Sequence, residues 1–416
     1  MKRLKILVSA YACEPEKGSE PGIGWNVVNE LAAYHEVHVL TRANNREVIE
    51  NALAQKSGAK PIFHYYDLPR WLSFWKKKRR GYHLYYYLWQ YGVFFHYCKF
   101  VRQEKFDVIH HLTFANFAMP SPLVLSSRAA TVWGPISRLK IEPAVFKMLP
   151  LKIKIKETLR KISMDLLIHI DLVRLFMPRA ADMIIECGTP ADKSAFPKRF
   201  AGKVRRHPQT GINPAEPEYQ SVKRSREDDK IRLLICSEFI HWKGVIFSAE
   251  TFAALAKEYP NIELHIYGSG PEKANMENIF FRSNTADRVV WHGFVTKAEM
   301  LQALADADIL LYYSYHHGLA TVILQAMYEK LPIVALGSDS VALAVNEGAG
   351  LVANGTTPQE IRESMIAQVK HLIDDHDLRK NCGETGRKLI ETKYNWHSLT
   401  SKLAELLAQA PEMRKK

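Results

Sequence analysis

The chain of 416 residues is poor in cysteine, with only Cys13, Cys98, Cys187, Cys236 and Cys382, none of them in a CxxC pair. A scattered, odd-numbered set excludes a disulfide framework and a zinc knuckle, and it fits a reducing compartment. Long apolar runs are also missing. No uncharged stretch reaches the roughly 18 residues that a spanning helix needs, which leaves a protein that is soluble or lies on a membrane surface. The N-terminal MKRLKILVSAYACEPEKG sets basic residues before an apolar run, but that run stops at Cys13 and glycines follow from Gly18. It reads as a first strand, not a signal peptide. There is no short-period repeat and no low-complexity tract. One further absence is local: between Asp67 and Glu104 the chain has no acid at all.

What is present is ordinary globular composition, 47% hydrophobic and 24% charged with 21 Gly and 20 Pro. Disordered, collagenous and coiled-coil classes are thereby excluded. At roughly 150 residues per domain the length predicts two or three units. The net charge of +13 is unevenly spread. Residues 1–208 hold 34 Lys+Arg against 17 Asp+Glu, whereas the remainder holds 23 against 27. Halves of opposite sign imply domains with different partners, and the basic half calls for something anionic.

Strand-like runs alternate with segments of helical period. LKILVSAY, EVHVLTR, FDVIHHLTF, AATVWGP and ADMIIECG read as strands of a first parallel sheet. The stretch from His207 to Lys230, with three prolines and the charge run KRSREDDK, reads as a linker. The pattern then restarts with KIRLLICSEF, IELHIYGSG, RVVWHGFV, DILLYYSY and LPIVALGS, separated by helical segments. From about Pro358 to Ala410 the period is helical. The reading is therefore an α/β protein of two doubly wound, Rossmann-like domains facing across a cleft. Residues 1–208 form the first, residues 209–390 the second, and residues 391–416 a helix that packs back on the first. Ligands of such sheets bind outside the carboxyl ends of the strands.

Three motifs fall at such ends. Gly18, Ser19 and Gly22 lie in the GSEPGIGW turn after the first strand, where glycine lets backbone approach a ligand and a helix start attracts phosphate. A turn that needs glycine only for its own geometry would read the same way. In SEFIHWKG, Lys243 can meet a phosphate as a point charge, though a solvated loop lysine is the plainer alternative. In YHHGLATVILQAM, the small residues Gly318 and Ala320, with Thr321 and Val322, sit at a helix start suited to a diphosphate. His317 and Gln325 flank that start about two turns apart.

Together GSEPGIGW, DVIHHLT, VWGP, the WKG segment, IYGSGPE and the VILQAM…LPIVA block resemble, in order and spacing, the family-4 or group 1 glycosyltransferases, most of all bacterial members acting on cell-surface polysaccharides. The resemblance runs through nearly the whole chain. It implies a GT-B fold and transfer of a sugar from a nucleotide-sugar, with retention, to a lipid-linked or polysaccharide acceptor. It implies no cofactor and no metal, a cytoplasmic location, and a donor site in the second domain formed by the loop and helix residues just named. A family arginine that helps neutralise the donor diphosphate falls on Glu238, while its lysine partner is kept as Lys243. The family's two spaced glutamates fall on His317 and Gln325. By the same resemblance the strand-end histidines His111, first, and His110, second, lie beside the donor sugar. A packed histidine at a strand end is the plain alternative. These departures leave a second reading: a catalytically weakened relative that binds a glycan or a partner.

The segment WLSFWKKKRRGYHLYYYLWQYGVFFHYCKFVR interleaves cations with aromatics. Lys76, Lys77, Lys78, Arg79 and Arg80, next to Trp75, are suited to an anionic membrane surface at the inner face of the cell membrane. A second basic stretch carries Lys147, Lys152, Lys154, Lys156, Arg160 and Lys161 against one acid. Burial of part of the aromatic run in a core competes with the membrane reading. Nucleic acid is disfavoured, since no recognition motif appears.

Overall fold

The computed structural model describes residues 2–415 apart from 77–80, 116–118, 127, 137–140, 171, 188–195, 221, 227, 316–317 and 338–339. Thirteen strands are present among them, in two all-parallel sheets. The first sheet holds β1 (Lys5–Ala10), β2 (Glu36–Arg42), β3 (Ile62–Tyr66), β4 (Val108–Thr113), β5 (Ala130–Ile136), β6 (Met183–Glu186) and β7 (Val204–Arg206), in the order β3-β2-β1-β4-β5-β6-β7. The second holds β8 (Ile231–Cys236), β9 (Ile262–Tyr267), β10 (Val289–Gly293), β11 (Ile309–Tyr312), β12 (Ile333–Leu336) and β13 (Gly350–Ala353), in the order β10-β9-β8-β11-β12-β13. Both orders reverse beside the first strand, between β1 and β4 and between β8 and β11. Those two reversals are the topological switch points where doubly wound sheets bind ligands. The chain is thus two Rossmann-like α/β domains.

By contacts the chain divides into unit 1, Met1–Arg138 with Leu159–Thr210 and Trp396–Lys416, and unit 2, Leu139–Thr158 with Gly211–Asn395. The central strands β1, β4, β5, β11 and β12 are buried almost along their whole length. That burial matches the continuous apolar runs expected of parallel strands covered on both faces. The Trp396–Arg414 helix buries Leu399, Leu403 and Leu407 against β1, β4 and β5 in unit 1.

Two expectations change in detail. The segment Leu139–Thr158 packs with unit 2 although it precedes residue 208. Its Ala144, Val145 and Leu149 enter the same core as β8 and β9, and that apolar contact sets its allegiance. The stretch from His207 to Lys230 is also no free linker beyond Thr210. Ile212 and Tyr219 are buried in unit 2, and Arg224 and Arg226 pair with the buried carboxylate of Asp308 at 2.7 and 2.8 Å.

In unit 1 the aromatic run divides by helical face. The Tyr82–Gln103 helix buries Tyr85, Tyr86 and Trp89, with Tyr11 packed edge-on against Tyr86 and Trp89. Its Leu84 and Phe95 are exposed, as are Trp71 and Phe74 before it.

Candidate functional site

In unit 2 the loops after β8, β9 and β11 lock together at the carboxyl ends of these neighbouring strands. The Trp242 carbonyl accepts from the Tyr315 backbone N–H at 3.0 Å and from Ser314 Oγ at 3.1 Å. Phe239 N–H donates to Ser269 O at 2.8 Å, and Glu272 N–H donates to Phe239 O at 3.0 Å. Gly244 makes this interleaving possible. Its φ is +67°, and a Cβ there would lie 2.0 Å from the Tyr313 carbonyl oxygen.

Lys243 stands immediately before that glycine. Its Nζ donates to Tyr312 Oη at 3.1 Å and lies 5.6 Å from the centre of the same ring. Tyr312 is the last residue of β11, so the lysine of one switch-point strand is steadied by the aromatic of the other. Two helices begin beside this pair. Val245–Leu255 follows Gly244 and Thr321–Tyr328 follows Ala320, and neither start has a side-chain cap. Elsewhere in unit 2 the helix starts at Thr296 and Thr357 carry full capping boxes. Uncapped starts leave backbone N–H groups for an anion, and Lys243 adds a full positive charge. Gly318, with φ +114°, Ala320, Thr321 and Val322 are all partly exposed at this helix start. Gln325, one turn further in, is nearly buried, and its Nε2 donates to Tyr219 Oη at 3.4 Å. Glu238 is exposed, with no ion pair among the described residues. His317 lies outside the described residues.

In unit 1 Gly18, Ser19 and Gly22 open the Ser19–Leu31 helix. Ser19 holds φ at +57°, an uncommon value for a residue with a Cβ. Gly22 is required sterically, since a Cβ would sit 2.0 Å from Lys17 O, whereas nothing lies within 4 Å of a Cβ at Gly18. The side chain that this turn aims inward is Glu20. Its Oε2 accepts from the Phe114 backbone N–H at 3.0 Å and its Oε1 accepts from Gln209 Nε2 at 2.8 Å. Burial raises its pKa above the usual carboxylate value, against the two hydrogen bonds.

His110 and His111 sit inside β4, three and two residues short of its end, and both are fully buried. His110 Nε2 donates to Gly134 O at 2.6 Å. His111 Nε2 lies 2.9 Å from Tyr86 Oη and 3.2 Å from Gln90 Nε2. Burial lowers the His110 pKa to about 4 and, with the charge of His110 adding to it, lowers that of His111 to about 3. Both rings are therefore neutral at neutral pH.

Of the basic cluster, Lys77, Lys78, Arg79 and Arg80 lie outside the described residues. The Lys76 ammonium rests 4.1 Å from the centre of the Tyr85 ring, and burial lowers its pKa. Trp75 is half-buried against the aromatic core of unit 1.

Residues not singled out in the sequence complete the picture. Tyr312 orients Lys243, and Tyr219 meets Gln325. His241 Nδ1 lies 3.0 Å from Tyr315 Oη, with its Nε2 3.8 Å from the buried Glu157. Glu20 had a readable signal, an acid among glycines at a strand end. The others depend on loops that meet only in three dimensions. Among the described residues no group of three or more His, Cys, Asp or Glu could hold a metal ion.

Comparison with known proteins gives matches to both units. Residues 217–389 match the family model of glycosyl transferases group 1. A GDP-mannose-dependent monoacylated alpha-(1-6)-phosphatidylinositol monomannoside mannosyltransferase of Corynebacterium glutamicum is 24% identical over 260 residues, covering 56% of this chain and 67% of the relative. Matches to two further curated relatives span only 30% and 45% of those proteins. Among solved structures, WaaG, a glycosyltransferase involved in lipopolysaccharide biosynthesis, aligns over 97% of this chain and 99% of its own, with TM-score 0.58 and 15% identity. Anabaena Alr3699/HepE in complex with UDP-glucose aligns over 98% and 100%, with TM-score 0.55 and 13% identity.

Proposed function

We propose that the chain, whose residues 217–389 match the family model of glycosyl transferases group 1, transfers a sugar from a nucleotide-sugar to a lipid-linked or polysaccharide acceptor in bacterial cell-surface glycan synthesis, with retention of configuration. The observation that carries this reading is Lys243, steadied by Tyr312 beside two helix starts without side-chain caps. A diphosphate placed there gains backbone N–H donors, two helix dipoles and a charge-assisted hydrogen bond. Gln325, with the Tyr219 hydroxyl, presents an amide one turn in from that helix start, suited to a ribose hydroxyl. The mechanism needs no metal or other cofactor, because the lysine and the helix starts supply the positive potential. Any contribution of His110 and His111 to the transferred sugar is that of neutral rings.

On the acceptor side, the basic first half favours an acceptor held at an anionic surface, the inner face of the cell membrane, by a cytoplasmic protein that visits it. The Corynebacterium glutamicum relative, a phosphatidylinositol monomannoside mannosyltransferase, and WaaG, a glycosyltransferase involved in lipopolysaccharide biosynthesis, agree with such acceptors. No helix among the described residues is long and apolar enough to cross a membrane.

One observation favours a second reading, a weakened relative that binds without turnover. Glu238 places an exposed carboxylate in the loop where the diphosphate would sit, which is adverse unless a cation offsets it. A thermal-shift screen of UDP-, GDP- and TDP-sugars tests donor binding. A sugar nucleotide at 100 times its dissociation constant adds about 2.7 kcal/mol, a shift of several degrees. No shift with any of them would remove the donor site.

A further inference from the structure

The Leu151–Ile170 helix carries its apolar side chains on the wrong face for a core. Leu151, Ile155, Leu159, Ile162 and Leu166 are 73, 53, 61, 57 and 59% exposed. At 3.6 residues per turn these five fall within roughly 80° of one another, a single stripe open to solvent. The opposite side is anchored. Glu157 is only 4% exposed and lies 3.8 Å from His241 Nε2. Ile153 packs against the core of unit 2, and Met164 packs against the aromatic core of unit 1. The stripe is therefore not a frayed or misplaced helix face but the outer side of a fixed one.

Charge identifies what covers it. Lys152 and Lys156 border the stripe on one side, and on the other Lys154 and Lys161 lie beyond Asp165, an exposed acid nearer the stripe. We propose that this helix lies in the plane of an anionic bilayer, its five apolar side chains among the upper acyl chains and its lysines at the lipid phosphates. An in-plane amphipathic helix binds in this way, by buried apolar area plus attraction to anionic headgroups. A second copy of the chain is the poorer occupant, because two-fold pairing of the stripe would bring lysine borders together. An anionic surface meets four lysines, Lys152, Lys154, Lys156 and Lys161, against the single acid Asp165. The proposal deepens the membrane-facing reading above and rests on it. It adds that apolar insertion, not charge alone, holds the protein, and it places the contact on this helix.

The test is co-sedimentation of the full-length protein with vesicles of phosphatidylcholine containing about 30% phosphatidylglycerol, at about 0.1 M and about 1 M NaCl. Wild type should bind at low salt and keep a measurable fraction at high salt. The triple variant Ile155→Gln, Leu159→Gln, Ile162→Gln should partition at least about tenfold less and lose the salt-resistant fraction. These positions are exposed, so its circular dichroism and melting midpoint should match wild type. As a second readout, Ile155→Trp should show blue-shifted emission on binding and quenching by brominated acyl chains. Wild type that ignores these vesicles overturns the proposal, as does a triple variant that binds like wild type. So does a wild-type dimer in solution that the triple variant converts to monomer, since the stripe then belongs to a second copy. Vesicle binding needs neither donor nor acceptor, so its failure would leave nucleotide-sugar binding standing, and the reverse.

Discussion

Replacing Lys243 with alanine separates a phosphate site from a merely solvated loop. In the free protein the ammonium already donates to Tyr312 Oη at 3.1 Å. A bound diphosphate therefore gains a pre-positioned cation without the full cost of ordering a flexible side chain. A charge-assisted hydrogen bond contributes about 1.5 to 3 kcal/mol. Two of the lysine's three protons remain for phosphate, which keeps most of that range available. Lys243→Ala should weaken binding of UDP or GDP, whichever nucleotide the protein takes, by at least about 1.5 kcal/mol, a little over tenfold. Titration calorimetry should find affinity for the matching nucleoside, which lacks phosphate, unchanged. Tyr312→Phe should cost less, on the order of 0.5 to 1.5 kcal/mol, because it loosens the lysine without removing its charge. Equal losses for nucleotide and nucleoside, or an undiminished nucleotide affinity in Lys243→Ala, would refute the assignment.

Glu238→Arg should tighten nucleoside diphosphate binding by about 1 kcal/mol, since it replaces an exposed like charge with a cation; weaker binding in a folded variant would mean that the glutamate has a partner of its own. Acid should destabilise unit 1. His110, His111 and His207 are buried neutral, with pKa values lowered by burial to about 4, 3 and 4. Their stability is intact above the unfolded value of about 6.5. It is lost as pH falls from there toward the folded values, at up to about 1.4 kcal/mol per pH unit for each ring. Denaturant titrations at intervals from pH 7.5 to 5 check this, and stability that is flat across that range would contradict it.

The central strands were legible because burial on both faces writes continuous apolar runs such as KILVSA and ILLY. The three strands that escaped notice, β3, β7 and β13, are all sheet edges. There burial is partial, as in IFHYY, or the strand is only three residues long, as in VRR, and periodicity has little to report. The helix starts and Lys243 were readable from residue type at strand ends. Tyr312, Tyr219 and Glu157 were not, because their partners are 69, 106 and 84 residues away in sequence and meet only when loops interleave. The histidines of β4 show the opposite limit. Their strand was placed correctly, but only the packing of the Tyr82–Gln103 helix shows that the His111 ring meets Tyr86 and Gln90.

Sugar transfer itself is tested most directly by following release of nucleoside diphosphate from a panel of nucleotide-sugars, with and without bacterial membrane lipid extract as acceptor. The account predicts release from one nucleotide-sugar, stimulated by the extract, coupled to appearance of the sugar in the lipid fraction, and abolished or strongly reduced in Lys243→Ala. A protein that binds a nucleotide-sugar but releases no diphosphate under any acceptor condition would contradict transfer and leave a binding protein in its place.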